Sequence, residues 1–111
     1  MKKLALILVV MGLLVNVASA TEAKQKEYTL VIKEHKFAPA KLEVPAGEKF
    51  NLIVDNQDAT PEEFESHDLH REKIIKGGTK AVIKLGPLKA GEYKFFGEFN
   101  EKTAQGILVV K

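Results

Sequence analysis

Between positions 62 and 70 the chain reads Glu62-Glu63-Phe64-Glu65-Ser66-His67-Asp68-Leu69-His70, four acids and two histidines in nine residues. Carboxylate oxygens and imidazole nitrogens are hard to borderline donors. They suit Cu(II), Fe(II) or Fe(III), and Mn or Zn less specifically. If the segment is extended, alternation puts Glu63 and Glu65 on one face and Phe64 on the other. If it is helical, His67 and His70 stand three apart and align on one side. The same acids beside Arg71 and Lys73 would also make a solvated, mutually paired surface loop, so the residues alone leave both readings open. Other polar groups point to less. His35 reads as an exposed strand-end residue, and Asp55-Asn56-Gln57-Asp58 lacks the glycine and distal glutamate of a calcium-binding loop. Ser66 beside His67 does not suggest the serine–histidine–acid arrangement of a hydrolase.

Sulfur is the most informative absence. The 111 residues contain no cysteine, and both methionines, Met1 and Met11, lie in the first twenty. Those twenty have the order of a secretory signal: Lys2 and Lys3, an apolar run from Leu4 to Val15, then the small residues Ala18-Ser19-Ala20. The run is shorter than the roughly 20 apolar residues that span a bilayer. The expectation is export to the periplasm with cleavage after Ala20 and no membrane anchor, since no cysteine follows the cut to carry a lipid. Lys2 and Lys3 leave with the signal, so 17 basic against 15 acidic side chains become an even balance. A chain without a concentrated basic face gives no reason to expect nucleic acid as a partner. It would also hold no disulfide and no sulfur ligand.

The elements that must position these groups read as strands. Residues 21–27 are expected to be a flexible leader and 28–111 a single domain, since about 90 residues build one core but not two. Apolar residues recur with a period near two in Tyr28–Glu34, Leu42–Val44, Lys49–Asn56, Val82–Leu85, Tyr93–Phe99 and Ile107–Lys111. Between them lie turn signals: Pro45-Ala46-Gly47, Gly77-Gly78, Gly86-Pro87 and Ala90-Gly91. That spacing predicts an all-β sandwich or barrel. Residues 60–75 are ambiguous. Thr60-Pro61-Glu62-Glu63 has the proline and early acids of a helix start, so the stretch is either a short helical turn or an extended crossing between sheets. Phe37, Tyr93, Phe95, Phe96 and Phe99 are the bulky residues expected to fill the core.

Several phrases then fall into one order. Phe37-Ala38-Pro39 leads to Leu42-Glu43-Val44-Pro45-Ala46-Gly47 and a strand ending in Asp55-Asn56. Leu88-Lys89-Ala90-Gly91-Glu92-Tyr93 and Gly106-Ile107-Leu108-Val109-Val110 follow. This resembles the cupredoxins, small Greek-key β-sandwiches of the periplasm that typically bind copper, over nearly all of the expected mature chain. Blue copper centres use two histidines, a cysteine thiolate and usually an axial methionine. The resemblance places that cysteine near Gly97, the later histidine near Asn100 and the methionine near Ala104, none of which can do the family's work.

The resemblance also implies that segment 62–70 and the loop 97–105 meet at one end of the sandwich. Glu98 would then approach Glu63, Glu65, Asp68 or a histidine. Glu63-Phe64-Glu65 and Phe96-Gly97-Glu98-Phe99 resemble phrases of the EfeO-like cupredoxins that accompany bacterial iron permeases. What this implies is a periplasmic copper- or iron-binding protein without a type 1 centre, accessory to iron uptake. Its ligands would be drawn from Glu65, Glu98, Glu63, Asp68, His67 and His70, and its partner would be an iron permease or another periplasmic iron-uptake protein. Carboxylate ligation favours Fe(III) over Fe(II), so a ferroxidase or electron-transfer role is the most the site would support, and turnover would need an electron acceptor that the sequence does not supply. The rival expectation is a metal-free sandwich that docks on such a partner.

Overall fold

Period-two patterning, proline- and glycine-marked turns and the absence of any long helical repeat together leave a chain of this length one economical way to bury its apolar side chains: two facing sheets. A computed structural model describes residues 25–111. The expected signal and the first part of the expected leader, 1–24, lie outside the described residues. One sheet has the order β2–β1–β4–β7, formed by Lys36–Ala38, Lys26–Lys33, Phe50–Asn56 and Lys80–Leu85. The other has the order β3–β9–β8–β5–β6, formed by Lys41–Val44, Gln105–Val110, Gly91–Gly97, Glu62–Ser66 and Arg71–Ile75. β1 runs parallel to β4, and β3 parallel to β9; the other pairings are antiparallel. The all-β sandwich expected from the sequence is the fold observed.

Alternation decides what faces inward. β4 buries Phe50, Leu52, Val54 and Asn56 and turns the residues between them toward the outer face. The centre of the core is a cluster of three rings. Phe64 stacks on Phe95 at 5.3 Å between centroids, and Phe37 meets Phe95 edge-on at 5.0 Å and Phe64 at 6.2 Å. Two of the expected core aromatics stand elsewhere. Phe96 follows Phe95 by one residue, so the pleat sends it to the outer face, where it lies 5.6 Å from the His67 ring. Phe99 has left the strand altogether and is 49% exposed.

Residues 60–75 settle as extended, and the expected helical turn near 60–72 is not there. They form the β5–β6 hairpin, in which Glu62 pairs with Ile75 and Ser66 with Arg71, joined by the turn 67–70. The hairpin does not cross between sheets; both strands lie in the five-stranded one. Its base is fastened by the buried Asn56, whose Nδ2 donates to the carbonyls of Thr60 at 2.9 Å and Ile75 at 3.0 Å. A proline beside two acids starts a helix only where nothing better pairs the backbone. Here β8 and β6 offer ladders on both sides. The one short helical element among the described residues is the 3-10 turn Glu98–Asn100, between β8 and β9.

Candidate metal site

β5 alternates as cleanly as any strand in the molecule, but with polar residues on both faces. Glu62, Phe64 and Ser66 point into the sandwich, while Glu63 and Glu65 lie on its outer surface, half-buried. Sheet register does the rest. Glu65 stands directly opposite Glu72 of β6, and Glu63 is diagonal to it. One carboxylate oxygen from each of Glu63, Glu65 and Glu72 lies within 4.8 Å of the others. Glu98, at the first position of the 3-10 turn, stands close enough to the same patch for its carboxyl to raise the pKa values of Glu63 and Glu65.

Four carboxyls in one place repel one another. Partial burial, then the charges of Glu72 and Glu98, hold Glu63 and Glu65 above the usual carboxylate range. Among the described residues no lysine or arginine forms an ion pair with this group; the nearest basic atom is His67 Nδ1, 4.0 Å from Glu65 Oε2. Arg71 is spent on the carbonyls of Leu69, His70 and Lys84. Neither Arg71 nor Lys73 therefore pairs with these acids.

This has a measurable consequence. The folded state binds protons at Glu63 and Glu65 more tightly than the unfolded chain, so their contribution to stability is most favourable below the unfolded carboxylate pKa. It is lost as pH rises through the raised folded values. Glu65→Gln is expected to melt above the parent protein at neutral pH, with the difference closing as pH falls below the ordinary carboxylate pKa. Calorimetric melting of both metal-free proteins across that range checks it. A Glu65→Gln protein that melts below the parent at neutral pH would contradict it.

The remaining expected ligands are placed less centrally. His67 and His70 lie in the turn after β5, where there is no helix. They line a shallow surface depression with Glu65, Ser66, Arg71 and Glu72. His70 holds a left-handed backbone at φ 57°. Asp68 is turned away: its Oδ2 accepts the Lys94 backbone N–H at 2.9 Å, tying the turn to β8.

Two participants are absent from the sequence reading. Glu72 is visible only once β5 and β6 are known to pair, because its place beside Glu65 comes from register and not from spacing. Glu62 resembled an exposed acid at a helix start and is instead 1% exposed. Its Oε1 accepts the backbone N–H groups of Glu63 at 3.0 Å and Phe99 at 2.8 Å, and its Oε2 accepts Asn100 Nδ2 at 2.7 Å.

Where a thiolate, an imidazole and a thioether were sought, the chain has Gly97, Asn100 and a fully buried Ala104. Without a cysteine anywhere in the sequence, no type 1 copper centre forms.

A family model described as a cupredoxin-like domain matches residues 4–110. An uncharacterised protein of Rickettsia prowazekii (strain Madrid E) is 52% identical over 84 residues, which cover 76% of this chain and 67% of that protein. Among solved structures, auracyanin A, a blue copper protein of Chloroflexus aurantiacus, has a TM-score of 0.66 at 16% identity, over 77% of this chain and 98% of its own. Amicyanin from Paracoccus versutus gives 0.62 at 16% identity, over 83% and 88%. The metal-binding domain of a Cu(I)-exporting P-type ATPase from Streptococcus pneumoniae, solved with Cu(I), gives 0.65 at 15% identity, over 77% and 84%. At such identities the likeness is one of fold.

Proposed function

This chain belongs to the cupredoxin-like family, and from that premise we propose that it binds a copper or iron ion through carboxylates and serves iron uptake outside the cytoplasm. The observation that carries the reading is the group Glu63, Glu65 and Glu72, three carboxylates within 4.8 Å of one another with Glu98 beside them. Such a group holds its negative charge at a cost in repulsion, and a bound cation would relieve that cost. All-oxygen ligation selects hard ions, Fe(III) foremost, with Cu(II) also accepted where an imidazole joins. His67 is the imidazole within reach.

The copper proteins among the structural relatives support metal binding by fold. The phrases Glu63-Phe64-Glu65 and Phe96-Gly97-Glu98-Phe99 support iron uptake by their likeness to permease-associated cupredoxins. Export rests on the first twenty residues. In this reading the protein is an exported carrier that holds the ion for a membrane permease or a periplasmic relay protein, not an enzyme with its own turnover.

Calorimetric titration of the purified protein with Cu(II), and with Fe(II) under anaerobic conditions, tests the claim. Binding of at least one ion tighter than about 1 μM is expected, with no intense thiolate-to-copper colour from the Cu(II) form. Weaker binding of both ions sinks the metal reading and leaves a docking module.

A further inference from the structure

The 3-10 turn that carries Glu98 has no side-chain cap at its start. Its N-cap is Gly97, which offers no side chain to accept the free N–H groups of the first turn. The loop is closed by bonds within itself: Gly97 N–H to the Ala104 carbonyl at 2.9 Å, Ala104 N–H to the Asn100 carbonyl at 2.8 Å, and Gln105 Nε2 to the Glu101 carbonyl at 2.6 Å. These fix the loop's shape but not its position on the sandwich. Ala104, fully buried in the core, seats the far end of the loop, and the turn itself is held by Glu62, reaching from the inner face of β5.

A buried carboxylate is tolerated only when its oxygens are supplied with donors, and Glu62 takes three, two of them from the loop. Phe99 N–H, which it accepts, belongs to the peptide unit that begins at Glu98. Fixing that peptide fixes where the Glu98 side chain sets out. Two further facts show how closely the parts are fitted. A Cβ on Gly97 would lie 2.7 Å from Glu62 Cδ, 2.8 Å from its Oε2 and 2.7 Å from Ala104 Cβ, so the glycine lets both the carboxylate and the loop pack against β8. On the same strand, one residue and three residues on, Glu63 and Glu65 emerge on the opposite face.

We propose that Glu62 is the positioning residue of the carboxylate site: its buried carboxylate docks the β8–β9 loop onto β5 and presents Glu98 to Glu65 before any cation arrives. The part concerning affinity rests on the metal-binding reading; the part concerning the loop does not. Pre-setting one ligand in this way lowers the ordering cost that the ion would otherwise meet.

The test uses the full protein, Cu(II) as the probe, and the variants Glu62→Ala, Glu62→Gln, Asn100→Ala and Glu98→Ala. Glu62→Ala is expected to weaken Cu(II) binding about tenfold, the scale on which partners behind the ligands act. Glu62→Gln, which keeps an acceptor for Phe99, should recover most of that loss. In a Glu98→Ala background Glu62→Ala should cost nothing more. Equal cost with and without Glu98 overturns the proposal, since Glu62 would then act on the fold at large.

If Glu62→Ala does not fold, Asn100→Ala removes one loop contact and leaves the rest, and its smaller loss must vanish in the same background or the proposal fails. The second readout is amide hydrogen exchange of the metal-free protein by NMR. Glu62→Ala should speed exchange at Phe99 and across 97–104 while β4 and β9 stay protected; an unchanged Phe99 amide overturns the proposal. Should the parent protein bind no Cu(II) at all, the metal reading falls and the exchange measurement alone decides the role of Glu62.

Discussion

Replacing Glu65 and Glu98 together by alanine is expected to lower Cu(II) affinity about 100-fold or more without lowering the melting temperature of the metal-free protein. The size follows from what the two groups are. Losing a partner that merely orients a ligand costs about 10- to 100-fold, and removing two ligand carboxylates removes the attraction itself. The absence of a stability loss follows from the partial burial, and after it the repulsion, that hold Glu63 and Glu65 above the usual carboxylate range. A group that strains the folded protein when empty leaves it no weaker when deleted. The control is the same change of charge elsewhere, Glu27→Ala with Glu92→Ala, two exposed acids outside the patch. If that pair weakens Cu(II) equally, the ion is responding to net charge and not to a site. Isothermal titration for affinity and calorimetric melting for stability, on all three proteins, decide between these.

How much of this the sequence shows depends on whether the signal is local. β4 is legible because Phe50, Leu52 and Val54 recur every second residue between Asn51, Ile53 and Asp55, and a strand with one buried face declares itself in that way. β5 and β6 do not. Of the inward residues of β5 only Phe64 is apolar, since Glu62 and Ser66 are buried polar groups, so its alternation is disguised. Burying Glu62 requires donors 37 and 38 positions away along the chain, and no window of neighbouring residues contains that information. The proline and acids of residues 60–63 carry a local helix signal that leaves the stretch undecided between a helical turn and an extended segment, and the sheet decides it. The site divides along the same line. Glu63 with Glu65 is a matter of pleat and could be read directly. Glu98 came within view through resemblance to a known architecture, and Glu72 needed the register of a hairpin that had not been recognised. The absent blue copper centre was the easiest conclusion of all, because it depends on composition and not on arrangement.

Phe64 joins the fold to the site, and its removal is expected to have the largest effect on stability of any single change in β5. Phe64→Ala deletes a ring that is fully buried and packed against Phe37 and Phe95. Truncations of this kind cost about 3–5 kcal/mol, against a total stability of about 5–15 kcal/mol for a typical domain. Urea unfolding should show the midpoint falling sharply with little change in slope. Phe64→Leu, which keeps most of the apolar volume, should lose much less. The same strand thus carries effects of opposite sign one residue apart: Glu65→Gln relaxes the outer face, while Phe64→Ala undermines the inner one. Phe64 also pairs in register with Gly97, the residue that opens the turn bearing Glu98. Loosening β5 at that point loosens its hold on β8 and the loop beyond it. Under conditions where Phe64→Ala remains folded, Cu(II) affinity should therefore drop although Phe64 offers no ligand atom, and Phe64→Leu should restore it. A Phe64→Ala protein as stable as its parent would mean that the three-ring cluster is not the centre of the core. One that is less stable but binds Cu(II) undiminished would separate the fold from the site and show that Glu65 and Glu98 find each other without a firm β5–β8 pairing.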